Sequence, residues 1–211
     1  MRLYTYFRSS AAFRVRIALN LKGLAYDPAF VHLAKGEHLL PAYSALNSQA
    51  LVPALQVDGA LLTQSLAIIE YLDETQPQPP LLPSGALARA RVRALSLIVA
   101  CEIHPINNLR VLKYVKNVLG HSQAETDTWY RHWIGDGLKK LEAELRRPGT
   151  GRYSHGDAPT MADCCLVPQV FNAKRYDCDL APYPTVMRVF EACMLLEAFD
   201  RAQPSKQPDA E

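Results

Sequence analysis

Two serines stand where a strand-like run gives way to a helical one. Leu3 to Phe7 alternates, and Ser9-Ser10-Ala11-Ala12-Phe13-Arg14-Val15-Arg16-Ile17-Ala18-Leu19 follows at once. A helix N-terminus carries unsatisfied N–H groups and the positive end of the helix dipole, and serine is a favoured N-cap. The junction therefore suits an anion, a thiolate among the candidates, with Ser9 and Ser10 as hydroxyl donors. Arg8 adjoins it, and a guanidinium grips a carboxylate in a two-pronged fork. Arg14 and Arg16 fall inside the helix and read as structural.

Three further segments combine residues of this kind. In Leu51-Val52-Pro53-Ala54-Leu55 a proline enters a strand, where it removes a ladder donor and can hold a cis bond. It reads either as an edge-strand proline or as backbone left open to an extended peptide ligand. Gln64-Ser65 precedes a helical run, with Ser65 as an N-cap that can also help hold a ligand carboxylate. Around Pro105, helical spacing puts His104, Asn108 and Val111 on one face with Asn107 beside it. Such a polar cluster reads equally as satisfied structure or as part of a site. Arg110 and Arg175 are further guanidiniums near these features. The chain has no GxSxG, P-loop, GxGxxG or HExxH pattern.

Short strands and helices must position these groups. Leu3 to Phe7 and Ala29 to Leu33 read as strands, Phe13 to Leu21 as a helix, and Glu37 to Leu46 as a short one. Ala54 to Val57 and Leu61 to Thr63 flank Asp58-Gly59, a strong hairpin signal. Ser65 to Glu74 is helical, with Ile68, Ile69 and Leu72 on one face. The order β-α-β-α-β-β-α implies a small mixed sheet with helices packed on it. Between Thr75 and Pro83 four prolines occur in nine residues, a linker or stiff crossover. Beyond it the pattern is wholly helical. Ala86 to about Leu119 forms one periodic stretch that Pro105 should kink or break, and Ala124 to Arg147 a second helix ended by Pro148-Gly149. Thr160-Met161-Ala162-Asp163 is a capping box opening a third, and Tyr183-Pro184-Thr185 opens a fourth. The polar, Pro-rich run from Gln203 to Glu211 is expected to be disordered.

The bulk properties exclude other classes. With 211 residues and a net charge of +2, the chain can build real cores but has no basic block for nucleic acid. No metal site is indicated. Five cysteines without CxxC spacing argue against a disulfide framework or zinc site, and Cys164-Cys165 reads as packing. Reduced thiols, no leader-like apolar start and no apolar stretch of spanning length are expected of a cytoplasmic protein.

The whole chain resembles a glutathione transferase of the zeta class, the family of maleylacetoacetate and maleylpyruvate isomerases. The resemblance rests on Tyr6-Phe7-Arg8-Ser9-Ser10 with Arg14-Val15-Arg16-Ile17-Ala18-Leu19, on Leu51-Val52-Pro53-Ala54-Leu55 and on Gln64-Ser65. Glu102-Ile103-His104-Pro105-Ile106-Asn107-Asn108 and Thr160-Met161-Ala162-Asp163 complete it, and it extends from Met1 to the Gln207-Pro208-Asp209 tail. It implies a thioredoxin-like α/β domain over residues 1–80, an all-helical substrate domain over 86–211, and a homodimer. It implies glutathione as cofactor, with a cis bond before Pro53 and Val52 pairing its backbone to the cysteinyl unit. Gln64 and Ser65 would take the γ-glutamyl end and His38 and Gln49 the glycyl side, with His104 and Asn108 contributed by the second domain. Arg8, Arg175 and Arg110 would clamp a dicarboxylate substrate. Where the class often carries Ser-Ser-Cys this chain has Ser9-Ser10-Ala11, so no protein thiol is available there. Phe13 stands where tryptophan is common, a packing change. The implied activity is cis–trans isomerisation of maleylacetoacetate to fumarylacetoacetate in tyrosine, phenylalanine and homogentisate breakdown. The alternatives are maleylpyruvate isomerisation in gentisate catabolism, a general glutathione-conjugating transferase, and a non-catalytic scaffold.

Overall fold

The computed structural model describes residues 1–211 as two compact units. The first comprises Met1–Leu82 together with Met194–Glu211, and the second Pro83–Cys193.

In the first unit, β1 (Arg2–Thr5) leads into α1 (Ser10–Leu21), then β2 (Asp27–Phe30), a 3-10 turn (Glu37–Leu39) and the short α2 (Pro41–Ser44). The hairpin β3 (Ala54–Val57) and β4 (Ala60–Thr63) precedes α3 (Ser65–Thr75). The strand order is β2-β1-β3-β4, with β1 parallel to β2 and antiparallel to β3. Both turn residues of the hairpin, Asp58 and Gly59, have positive φ (48° and 80°), as a type I′ turn requires. Helices α1 and α3 pack together. Leu3, Ala54 and Leu55 of the sheet, Val15, Ile17 and Leu19 of α1, and Ile68, Ile69 and Leu72 of α3 are buried in this core. This is the α/β arrangement that the resemblance implied.

The proline-rich crossover is tied to this unit by Lys22. Its buried ammonium donates to Asp73 (2.8 Å) and to the carbonyls of Gln76 (2.6 Å) and Pro79 (2.9 Å). Asp73 in turn accepts from the N–H groups of Leu81 and Leu82.

The second unit is helical. It contains α4 (Ala86–Leu97), α5 (Leu109–Asn117), α6 (Gln123–Leu145), α7 (Met161–Arg175) and α8 (Pro184–Met194), whose last residue crosses into the first unit. The stretch over 86–119, expected to kink or break at Pro105, is broken into four pieces. A π turn (Ile98–Ile103) and a 3-10 turn (Pro105–Asn107) separate α4 from α5. Proline supplies no N–H at position 105, and the His104 N–H reaches back to the Val99 carbonyl (3.0 Å). The Thr160 capping box forms as expected: Asp163, fully buried, accepts from the Thr160 N–H (2.7 Å) and hydroxyl (2.9 Å) and from the Ser154 N–H (2.8 Å). Burial pushes the Asp163 carboxyl up, against these hydrogen bonds. Helix α8 is capped from another helix, because Glu142 of α6 accepts the N–H groups of Thr185 and Val186 (2.9 Å each). Cys164 and Cys165 are both buried and unbridged, which is packing as expected. No helix is long and apolar enough to cross a membrane.

The final residues are ordered, contrary to their composition. A short helix α9 (Glu197–Asp200) packs on α1, and a 3-10 turn (Pro204–Lys206) follows. Glu211 accepts from Lys35 (2.8 Å), and its carboxylate lies 3.2 Å from His32 Nε2. Residues 194–211 thus belong to the first unit, so the helical unit is shorter than the expected 86–211. Long-range partners, which composition does not report, account for the difference.

Candidate functional site

The β1–α1 turn carries the serines. Ser9 is the N-cap of α1, with extended backbone, and its Oγ accepts from the Ala12 N–H at 3.2 Å. The hydroxyl proton is left to donate to something else. Ser10 is the first helical residue and is buried. The buried Arg16 holds the turn from beneath. Its guanidinium donates to the Thr5 hydroxyl (3.1 Å) and to the carbonyls of Tyr6 (3.3 Å), Phe7 (3.1 Å) and Ala202 (3.2 Å). Burial lowers its pKa to about 10, so it stays charged at neutral pH. Arg16 is structural, as expected from its place inside the helix. Arg8 is exposed, with its guanidinium over the Phe7 ring at 4.9 Å.

Beside the turn lies a small apolar cluster of Tyr6, Phe7, Val31, Tyr43 and Val52. It ties the serine turn to the Val52 segment. The Val52–Pro53 peptide is cis, as the resemblance implied. Strand β3 begins only at Ala54, so the Val52 backbone lies outside the ladder. Tyr43 and Asn47 anchor the approach by donating to the Leu51 carbonyl at 2.6 and 2.8 Å. Neither residue stands out in the sequence, because their role depends on a contact that the strand-entry loop creates.

Gln64 adopts φ 67° and ψ 115°, a left-handed-side conformation rare for a residue with a side chain. It is the N-cap position of α3, and Ser65 is the first helical residue. The expectation that Ser65 is the N-cap is corrected, since the unusual backbone shifts the cap one residue earlier. Ser65 is buried, and its hydroxyl accepts from Arg14 Nη1 at 3.1 Å. The exposed Gln64 amide donates to Gln49 Oε1 at 2.9 Å, and Gln49 Nε2 lies 3.5 Å from Thr63 Oγ1. His38 sits half-buried on the 3-10 turn before α2.

The remaining candidates belong to the second unit. His104 closes the π turn, and Asn108 caps α5, accepting the Arg110 N–H at 3.2 Å. Helical spacing does not hold between them, because the 3-10 turn intervenes. The expectation that His104, Asn108 and Val111 share one helical face is therefore corrected. The turn is pinned by Trp129, whose indole donates to the Ile106 carbonyl at 3.0 Å. Arg110 is exposed in the first turn of α5. Arg175, exposed at the end of α7, lies 5.0 Å over the Tyr176 ring, which stacks on Tyr130 at 3.6 Å. The structure shows no group of His, Cys, Asp or Glu able to hold a metal ion.

In the first unit the structure thus presents a hydroxyl-capped helix end, an unpaired strand-entry backbone and a second helix end flanked by two amides. Such a set can hold an anion at each helix end and pair with an extended backbone between them.

Comparison with known proteins agrees. Residues 3–80 match the family model of the glutathione S-transferase N-terminal domain, and residues 134–192 that of the C-terminal domain. The chain is 52% identical over 211 residues to a maleylpyruvate isomerase from a Ralstonia species, covering 100% of both. It superposes with a TM-score of 0.98 and 52% identity on a holo maleylpyruvate isomerase, a bacterial zeta-class glutathione S-transferase, again over 100% of both chains. On the maleylacetoacetate isomerase of Methylobacterium extorquens AM1, solved with malonate and glutathione bound, the TM-score is 0.97 at 44% identity, covering 100% of each. The chain belongs to the zeta-class glutathione transferases, the family of the maleylpyruvate and maleylacetoacetate isomerases.

Proposed function

We propose that this chain is a glutathione-dependent cis–trans isomerase of a maleyl-type keto dicarboxylate, with conversion of maleylacetoacetate to fumarylacetoacetate as its reaction. The observation that carries this reading is the Ser9-capped end of α1, with a hydroxyl proton left to donate. It lies in the same unit as the open Val52 backbone and the Gln64-Ser65 helix end.

The residues fit the cofactor by chemistry. Ser9 or Ser10 and the α1 N-terminus would hold the thiol sulfur, and the Val52 backbone the cysteinyl amide. Gln64 and Ser65 would hold the γ-glutamyl end, with Gln49 and His38 on the glycyl side. On the family resemblance, His104 and Asn108 are assigned to the cofactor as well. When bound, glutathione supplies a thiolate nucleophile that adds reversibly to the alkene and leaves unchanged after the bond has rotated. The chain's part is to favour the thiolate over the thiol, which hydroxyl donation and the helix end both do. Its other part is to fix the substrate, for which Arg8, Arg175 and Arg110 are the carboxylate-binding candidates. We read the protein as a cytoplasmic homodimer acting in aromatic amino-acid breakdown.

Maleylpyruvate is the second reading, supported by the 52% identity to a maleylpyruvate isomerase. The two substrates differ at the keto end. The test is cis-to-trans conversion of each, measured with and without glutathione. Equal rates in both conditions refute the cofactor role, and the kcat/KM ratio chooses the substrate. Activity on an aryl halide without isomerisation of either diacid would indicate a conjugating transferase instead.

A further inference from the structure

We propose that Asp209, in the C-terminal tail, is a positioning residue for the Ser9–Ser10 turn. The inference rests on the reading of that turn as the thiolate site.

The Phe7 N–H donates to Asp209 Oδ2 at 2.9 Å, across 202 residues of sequence. The Phe7 carbonyl accepts from Arg16 Nη2 at 3.1 Å. One residue is thus held on both sides by ionisable groups. Ser9 follows two positions later, and its own N–H closes back on the Tyr6 carbonyl at 2.9 Å. Arg16 also holds that carbonyl (3.3 Å). The peptides from Tyr6 to Ser9 are therefore set by Asp209, Arg16 and one turn hydrogen bond. Hydrogen bonds to charged groups are the stronger kind, so this grip is stiff.

The tail is built to deliver the carboxylate. Gln207 Nε2 donates to the carbonyls of Arg201 and Gln203 (2.9 Å each), and the Ala210 N–H to that of Gln207 (3.0 Å). Beyond Asp209, Glu211 accepts from Lys35, and the His32 ring beside it packs on Tyr6 at 4.8 Å. Arg16 reaches the same tail through the Ala202 carbonyl (3.2 Å). Any charge effect of Asp209 is set against the buried Arg16 guanidinium, whose pKa its carboxylate raises. What remains is geometry: Asp209 acts through Phe7 on where the Ser9 hydroxyl points.

The test compares the full-length protein with Asp209→Ala and Asp209→Asn. The amide oxygen of asparagine can still accept the Phe7 N–H, and alanine cannot. Three readouts are taken: hydrogen exchange at residues 7–12 without glutathione, the pKa of the bound glutathione thiol by ultraviolet absorbance, and kcat against KM. In Asp209→Ala, exchange at Phe7 to Ser10 rises at least about tenfold, the bound thiol pKa moves up, and kcat falls roughly tenfold with KM little changed. Asp209→Asn returns each value most of the way. Wild-type values in Asp209→Ala overturn the proposal, as does an equal loss in both variants. A fall that tracks melting temperature with no change in thiol pKa overturns it too. If the wild-type protein binds no glutathione, the functional reading fails, while the exchange data still decide whether Asp209 sets the turn.

Discussion

Ser9 serves the fold and the chemistry through one hydroxyl, and the two roles separate experimentally. As N-cap it accepts the Ala12 N–H at 3.2 Å, and losing such a cap costs about 1 kcal/mol. For a chain of this length that lowers Tm by roughly 2–4 °C. As a donor it would stabilise a thiolate, and a hydrogen bond to a charged group contributes about 1.5–3 kcal/mol. At about 1.4 kcal/mol per unit, that brings a thiol from about 8.5 to roughly 6.5–7.5. Ser9→Ala then returns the thiol towards its free value, so the proportion ionised at pH 6.5 drops about tenfold or more. Isomerase kcat/KM should fall by the same factor at pH 6.5 and recover to within about twofold near pH 9.5, where both proteins are ionised. Ser9→Gly separates the roles, because glycine costs only a few tenths of a kcal/mol as a cap yet has no hydroxyl. Its Tm should match wild type while its pH profile matches Ser9→Ala, and Ser9→Thr should keep both. A Ser9→Gly profile superimposable on wild type refutes the assignment, and a shifted Ser10→Ala profile would move it to Ser10.

The remaining predictions concern the scaffold. Burial pushes the Glu142 carboxyl up, but the hydrogen bonds from Val186, Thr185 and Arg146 outweigh it and leave it below its ordinary 4.5. A lowered folded pKa contributes stability above the unfolded value and loses it as pH falls through the folded one. Glu142→Gln should therefore lower stability at pH 7 by about 1–2 kcal/mol and flatten the loss of Tm below pH 4.5, measured by calorimetry across pH. A Cβ on Gly137 would lie 2.3 Å from Ile103 Cγ1 and 2.5 Å from its Cδ1, in a fully buried contact. Gly137→Ala is expected to destabilise by about 1–3 kcal/mol in urea denaturation, and an unchanged midpoint would contradict that packing. Lys22→Met strips Asp73 and two crossover carbonyls of their shared donor and should cost about 3 kcal/mol, with faster proteolysis at residues 76–80.

Much of the fold was legible because its signals are local. Asp58-Gly59 demands a positive-φ turn wherever it occurs, and the hairpin forms there. The Thr160–Asp163 box closes within one helical turn, and the prolines from 77 to 83 end any helix by chemistry alone. The serine turn could be placed on the same grounds, whereas the cis bond at Pro53 was an expectation of the family resemblance and not of the local residues. The break at Pro105 was legible in the proline itself, but the π turn at 98–103 was not, because no residue type there marks it. The residue after Gln64 reads as a cap by type, and only the backbone at Gln64 shows otherwise.

The sequence by itself determined which groups are present and which local conformations they permit: a hydroxyl at a helix start, a proline at a strand entry, guanidiniums without a protein thiol beside Ser9-Ser10. Those depend on neighbours within a few residues, so spacing reports them. Tertiary structure decided what holds the groups in place. Arg16 and Asp209 meet at Phe7, Tyr43 and Asn47 meet at Leu51, and Arg14 reaches Ser65. Several of these partners lie far apart along the chain, and the tail that composition marks as solvated is ordered by them. A hydrogen bond between distant residues leaves no periodicity in the sequence, and it exists only once the sheet and helices have brought its two ends together.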